Sequence, residues 1–341
     1  MPRVPTATAL ALVVCLLGTA AGPMAQGAQP PARFAAAVDG ARRLTRLHSL
    51  LVSQRGDVVL EHYARGVTAR KLANIKSASK SVISALVGVA IDRTLIGDVR
   101  QPVSTWFPEL RRDPDPRKAA ITVEDLLTMR SGLETTSNRN YGAWVTSPNW
   151  VRFVLTRRLL ADPGTTMQYS TGSTHLLSAI LTKATGSSTW QFAQKALAAP
   201  LGITLAPWPR DPQGIYFGGN DMLLTPRQMV ALGELWLTGG RVRDRQVVPS
   251  AWVAASCVPR TVSRFDAGRE YGYGWWIDEV GGHRACYAWG YGGQYVLVFD
   301  ELQAVVVATS STATDDERQS YRRELLDLIG RDILPVLAAS R

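Results

Sequence analysis

The stretch Lys76-Ser77-Ala78-Ser79-Lys80-Ser81 decides how the rest of the chain is read. Ser77 and Lys80 stand at i and i+3, and the run that follows, Val82-Ile83-Ser84-Ala85-Leu86-Val87-Gly88-Val89-Ala90-Ile91, is small and apolar with few turn signals. That run predicts a buried helix. On one helix face the Ser77 hydroxyl and the Lys80 amine are neighbours. A serine hydroxyl becomes a nucleophile when an adjacent base takes its proton. A lysine serves as that base once burial or nearby positive potential lowers its pKa. A helix N-terminus supplies such potential, and its unpaired N–H groups can also hold an oxyanion. The plainer reading of the same four residues is a solvated first turn with Ser77 as helix cap. The rest of the chain has to choose between the two.

Upstream, residues 34–47 have the spacing of an amphipathic helix. Ser49-Leu50-Leu51-Val52-Ser53 and Val58-Val59-Leu60-Glu61-His62-Tyr63 are β-rich runs around the turn Gln54-Arg55-Gly56-Asp57, which predicts a hairpin. Downstream comes a Pro-rich connection from Gln101-Pro102 to Asp115-Pro116. Thr122 then caps a helix with Glu124 and Asp125 in its first turn and a stop at Gly132. Helices are predicted over 149–160, 175–185 and 189–197, with a loop over 162–172. Thr225-Pro226-Arg227-Gln228 reads as another capped start. After Phe265 the chain turns strand-like over 271–277, 284–289, 294–300 and 304–310, and a terminal helix follows over 315–337. Strands at both ends with helices between predict an α+β fold: one antiparallel sheet built from both chain ends and flanked by helices. The expectation is a single domain over 30–340, with an α/β part at about 34–76 plus 265–340 and a mostly helical part at about 77–264.

The 341 residues are 46% hydrophobic and 19% charged, enough for a large core and far from the composition of a disordered chain. Residues 1–27 read as a signal peptide: Arg3, a short apolar run over 7–17, then small residues around Ala20-Ala21-Gly22 and over 25–28, with cleavage between Ala21 and Ala28. An uncleaved anchor is the alternative, but the run is short for a bilayer span. The expected location is exported, periplasmic or secreted, with no membrane span once the signal is removed. Cys257 and Cys286 then remain, either as a pair or as two separate thiols. No Cys/His spacing suggests a metal. The net charge of +10 is scattered, so it points to no nucleic-acid partner.

Three pieces line up along the chain. They are Ser77-Ala78-Ser79-Lys80, Tyr169-Ser170-Thr171, and Gly290-Tyr291-Gly292-Gly293-Gln294. Their order and spacing resemble the serine β-lactamase and DD-peptidase superfamily. Within it the chain looks most like the class C-type β-lactamase-related hydrolases, which include esterases and 6-aminohexanoate-dimer hydrolases. Supporting marks are Leu126-Leu127-Thr128-Met129-Arg130-Ser131-Gly132-Leu133, Pro200-Leu201-Gly202 and Tyr271-Gly272-Tyr273-Gly274-Trp275-Trp276. The resemblance covers roughly residues 50–310 and implies a β-lactamase/transpeptidase-like fold. It further implies that Ser77 attacks a carbonyl and forms an acyl-enzyme, that Lys80 takes its proton, and that Tyr169 passes a proton to the leaving group. With cationic Lys80 beside it, the Tyr169 pKa is expected to be lowered. The oxyanion hole would be the backbone N–H groups of Ser77 and Gln294. Thr171, Tyr291, Gly292 and Gly293 would contact substrate, the glycines by letting the strand approach closely. No cofactor is implied, because serine acyl transfer needs none.

The departures from that pattern bear on substrate. Thr171 stands where β-lactamases usually carry Asn, and Tyr291 stands where they usually carry Lys or His. No Glu-x-x-Leu-Asn segment is present. These differences favour an esterase or amidase on small molecules over a β-lactamase or a DD-peptidase acting on cell-wall peptide. Arg284 is the candidate for a replacement cation that would restore the latter. Trp144, Trp150, Trp275, Trp289, Tyr291 and Tyr295 are candidates for an apolar acyl pocket, with core packing as the alternative. A Ser-His-Asp hydrolase finds no G-x-S-x-G around any serine, with His48, His62, His175 and His283 as its only histidines. A non-catalytic envelope binding protein of the same fold would have no need of Ser77, Lys80 and Tyr169 together.

Overall fold

The predicted hairpin forms where strand-favouring side chains flank the Gly56 turn. Strands β1 (Leu47–Gln54) and β2 (Asp57–Tyr63) pair antiparallel, and β1 pairs on its other edge with the C-terminal strand. The computed structural model describes residues 31–263, 268–316 and 318–340. The expected signal peptide and Phe265 lie outside these. Helix α1 is Ala35–Arg43. The short strands β3 (Ala73–Asn74) and β4 (Leu223–Leu224) pair across the chain, and β5 (Arg241–Val242) and β6 (Arg245–Gln246) form a local hairpin. The last six are β7 (Thr261–Val262), β8 (Glu270–Tyr271), β9 (Trp276–Val280), β10 (His283–Gly290), β11 (Gln294–Phe299) and β12 (Ala304–Ser310). They complete one eight-stranded sheet in the order β2-β1-β12-β11-β10-β9-β8-β7, all neighbours antiparallel.

The unbroken Val305-Val306-Val307 run shows why this sheet is central. Val305 and Val307 pack into the cluster shared with the helical part, while Val306 and Ala308 pack with the terminal helices. Side chains alternate between faces, so a strand covered on both sides is apolar at every position. The helical part holds α2 (Ser79–Asp92), α3 (Val123–Leu127), α4 (Tyr141–Val145), α5 (Trp150–Leu155), α6 (Thr171–Thr185), α7 (Thr189–Ala193), α8 (Pro226–Leu237) and α9 (Ser250–Ser256). The other face carries α1 with α10 (Arg318–Leu328) and α11 (Leu334–Ala338). Helix α2 is buried from Ser79 to Ala90, as an apolar surface all round requires. The caps at Thr122 and Thr225 form full capping boxes with Asp125 and Gln228.

Several boundaries differ from the sequence reading. The first helix ends at Arg43, because Leu47 already belongs to β1. Helix α3 stops at Leu127, ahead of a left-handed Met129 (φ 60°). Helix α5 ends at Leu155, and the chain turns so that Leu159 bridges Leu133. Helix α6 starts four residues before His175, at Thr171. The run 271–277 is a tight reversal between β8 and β9, closed by the Gly272 N–H on the Trp275 carbonyl (2.9 Å). The terminal helix starts at Arg318 and is interrupted by a π-turn, Ile329–Ile333. Cys257 and Cys286 form a disulfide. Among the described residues no helix is long and apolar enough to cross a membrane.

Candidate active site

Ser77 sits in a single 3₁₀ turn, Lys76–Ala78, immediately before α2. Lys80 is in the first turn of α2 and is 1% exposed. Its amine lies 3.2 Å from Ser77 Oγ, 3.3 Å from Thr171 Oγ1 and 2.6 Å from the Gly219 carbonyl oxygen. Tyr169 lies in the loop before α6, lines the same cleft as Ser77, and presents its ring 5.0 Å from the Lys80 amine. Two of the three sequence pieces therefore meet at one point.

Burial sets the protonation states. Desolvation brings the Lys80 pKa down from 10.5 to about 7, with Asp221 pulling weakly the other way. Desolvation also pushes the Tyr169 phenol up to about 12, only partly offset by its bond to Ser77. The expected lowering of the Tyr169 pKa is thus reversed: a lysine that burial itself discharges gives little cationic field to a neighbour.

The third piece forms the opposite wall. Gly290 closes β10 so tightly against the Ser77 turn that a Cβ there would lie 2.0 Å from the Ile75 carbonyl oxygen. Tyr291, Gly292 and Gly293 turn the chain into β11 and line the cleft, the glycines with φ of 87° and 97°. Gln294 is fully buried, pairs with Gly290, and bonds β12 through its amide (Nε2 to the Ser310 carbonyl, 2.8 Å). It is not among the cleft-lining residues. Its side chain thus serves the sheet, while its backbone N–H follows directly on the Gly292-Gly293 turn at the cleft wall.

Thr171 is 5% exposed, and its hydroxyl also meets Ser137 Oγ at 3.1 Å. The residue in the usual Asn position thus faces Lys80. Ser137 was not foreseen, nor was Gly219, nor the ion pair of Lys76 with Asp221 (2.8 Å) that steadies the turn before Ser77. Ser137 belongs to a run of three hydroxyl residues, and Gly219 to a Gly-Gly-Asn-Asp run; neither pattern singles out a site.

The cleft has a volume of about 790 Å³. Of the aromatic candidates, Trp289 and Tyr291 line it, joined by Trp276. Trp144 and Trp150 are buried around His175 and Phe217, Trp275 stacks on Trp236, and Tyr295 is buried behind Trp289. Arg284 is elsewhere, donating to the Cys257 carbonyl (2.7 Å). The lining cations are Lys76, Arg269 and Arg322, and no carboxylate lines the cleft among the described residues. Trp276 stacks on Tyr169 (5.7 Å) and meets Trp289 (5.9 Å), and Arg322 lies 4.8 Å over the Trp289 ring. The guanidiniums therefore lie on the Tyr169 side. Among the described residues no cluster of His, Cys, Asp and Glu could hold a metal ion.

A serine at a cleft, a buried amine beside it whose pKa burial lowers, and a phenol whose pKa burial raises are, in this fold, the arrangement of the hydrolases built on a β-lactamase scaffold. The Beta-lactamase family model matches residues 41–331, and the chain belongs to that family. It is 27% identical over 227 residues to the 6-aminohexanoate-dimer hydrolase of Paenarthrobacter ureafaciens, a match spanning 60% of this chain and only 55% of that protein. The fold matches that of the D-amino acid amidase from Ochrobactrum anthropi, with a TM-score of 0.70, 17% identity, and coverage of 90% and 99% of the two chains. It also matches EstCE1, a hydrolase with promiscuous acyltransferase activity, with a TM-score of 0.71, 18% identity, and coverage of 87% and 97%.

Proposed function

We propose that the protein hydrolyses an ester or amide bond in a small molecule through an acyl-enzyme on Ser77. The observation that carries this reading is the amine of Lys80, 3.2 Å from the Ser77 hydroxyl, with its pKa brought by burial to about 7. Lys80 takes the Ser77 proton as Oγ attacks the carbonyl. Tyr169, protonated at neutral pH, gives a proton to the leaving group as the tetrahedral intermediate collapses. Water then attacks the acyl-enzyme, and the same groups return the proton. The oxyanion is held by the backbone N–H groups of Ser77 and Gln294, Gln294 following directly on the Gly292-Gly293 turn at the cleft wall.

Substrate follows from the wall beyond Tyr169. The leaving group departs on the side of its proton donor, where Arg322 lies over Trp289 and Arg269, itself paired with Asp278 at 3.4 Å, lies behind it. A leaving alcohol or amine that carries a carboxylate fits this side. The same observation favours a second reading, a peptidase or weak β-lactamase acting on a substrate with a free carboxylate.

Intact-protein mass after treatment with a fluorophosphonate, p-nitrophenyl butyrate or a penicillin tests these readings on wild type and Ser77→Ala. Fluorophosphonate labelling lost in Ser77→Ala, with ester turnover and no penicilloyl adduct, supports the ester or amide hydrolase. A stable penicilloyl adduct on Ser77 moves the reading to the peptidase. Folded protein that takes no adduct leaves a binding protein of this fold.

A further inference from the structure

Residues 218–222 touch Lys80 and the turn that carries Ser77, although no motif marks them. The Gly219 carbonyl accepts from Lys80 (2.6 Å). Asp221 Oδ1 accepts from Lys76 Nζ and Asn74 Nδ2, both at 2.8 Å. The Met222 N–H donates to Ser79 Oγ (3.2 Å), and its carbonyl accepts the Ile75 N–H (3.0 Å).

What anchors the start of this segment is a buried pair outside the described chemistry. His175 lies one turn beyond Thr171 on α6, and neither it nor the Asp211 side chain is exposed. Its Nε2 is 3.0 Å from Asp211 Oδ2, and its Nδ1 receives the Gly218 N–H at 3.4 Å. Asp211 is itself fixed, because its Oδ1 accepts the N–H groups of Gln213 and Ile215, each at 2.9 Å. Trp144, Trp150 and Phe217 enclose the imidazole at 5.8, 5.4 and 6.0 Å between ring centroids. Neither glycine has slack: a Cβ on Gly218 would lie 2.1 Å from the Thr174 carbonyl oxygen, and one on Gly219 would lie 2.1 Å from Thr174 Oγ1.

The two bonds of the ring determine its tautomer. A backbone N–H only donates, so Nδ1 must present a lone pair. The proton then sits on Nε2 and points at the Asp211 carboxylate. We propose that His175 and Asp211 are positioning residues for Lys80. They hold the imidazole as an acceptor for Gly218 and thereby place the Gly219 carbonyl against the amine. That carbonyl aims the amine at Ser77 and favours its protonated form. The other groups facing Lys80 are the Ser77 and Thr171 hydroxyls and the Tyr169 ring, with Asp221 acting at longer range. The inference rests on Lys80 being the base.

Asp211→Asn tests it. The amide oxygen keeps an acceptor for Gln213 and Ile215, while the NH₂ donates toward Nε2. The imidazole proton then moves to Nδ1 and opposes the Gly218 N–H, donor against donor. The expected result is a kcat for p-nitrophenyl butyrate lower by ~100-fold, as a displaced catalytic group gives, with KM unchanged. The acidic limb of the pH profile moves to lower pH, because the Lys80 ammonium loses an acceptor. His175→Asn, which keeps an acceptor near the δ position, retains more activity than His175→Phe. A folded Asp211→Asn protein with wild-type kcat and an unmoved limb overturns the proposal, even if its Tm is lower. Should the variants not fold, imidazole ¹⁵N shifts of the wild type decide. A neutral Nε2–H ring at neutral pH supports the proposal, and an Nδ1–H ring or an imidazolium overturns it. The NMR result is independent of turnover, so loss of fluorophosphonate labelling in wild type would remove the parent reading separately.

Discussion

The Lys80 amine lies 5.0 Å from the centre of the Tyr169 ring, and burial orders their protons the opposite way from water. Free lysine and tyrosine titrate close together, near 10.5 and 10.0; here Lys80 falls to about 7 and Tyr169 rises to about 12. In the proposed mechanism this order sends the Ser77 proton to Lys80 and draws the leaving group's proton from Tyr169.

Activity should follow the free-base form of Lys80. Lys80 must be neutral to act, so kcat/KM rises as pH increases through about 7 and then holds level, with no second limb until the Tyr169 range near 12. A pH series with a neutral ester checks this. A profile that falls across pH 7 as pH rises removes Lys80 as the base.

The same shift makes Lys80 costly to the fold. Its folded pKa is below its unfolded value, so between about 7 and 10.5 the unfolded chain binds the extra proton and stability rises with pH. Below about 7 the full cost is present. Lys80→Met removes it, and the bonds lost to Ser77, Thr171 and Gly219 offset part of the gain. The variant should be inactive yet more stable near pH 7 by on the order of 1–3 kcal/mol. Denaturant unfolding at two pH values is the check, with the difference from wild type shrinking toward high pH.

The sheet, the two capped helices and the Ser77–Lys80–Tyr169 group were legible because each rests on local pattern. Unbroken runs of strand-favouring apolar residues mark β1 and β12, Thr-Pro-x-Gln marks a capping box, and i, i+3 spacing marks a shared face. The Tyr169 pKa was not legible, because desolvation depends on what the whole fold packs around a residue. Gly219 and Met222 act through their backbone, which leaves no signature in residue type. Arg269 and Arg322 come from opposite sides of the third motif and meet only over Trp289. Arg284 had the nearer sequence position, but β10 sends it to Cys257.

Gly290 should be irreplaceable for a steric reason. A Cβ at that position would lie 2.0 Å from the Ile75 carbonyl oxygen, and backbone cannot rotate away as a side chain can. Gly290→Ala must push β10 from the Ser77 turn. The expected cost is about 1–3 kcal/mol of stability, as for overpacking elsewhere, and a kcat lower by ~100-fold because Ser77 and the amide of Gln294, the partner of Gly290 in the β10–β11 pairing, separate. Gly66→Ala, where no atom lies within 4 Å, is the control for a left-handed glycine without a close neighbour. Equal activity in both variants would show that the contact does not set the site.

Arg322 should discriminate by charge on the leaving group. Its guanidinium lies 4.8 Å over Trp289 at the cleft wall, on the side of Tyr169, the proposed proton donor to the leaving group. Two butyrate esters separate this from general binding: 4-carboxyphenyl butyrate, whose leaving group is anionic, and phenyl butyrate, whose leaving group is not. Arg322→Ala should raise KM about tenfold for the first, the worth of one charge-assisted bond, and leave the second unchanged. Arg322→Lys should fall between, because an ammonium keeps the charge but loses the two-pronged geometry. Added salt should weaken the preference in wild type and have no effect on phenyl butyrate. A wild-type enzyme that hydrolyses both esters with equal KM would leave the cations without a role in substrate choice, while Ser77, Lys80 and Tyr169 would keep theirs.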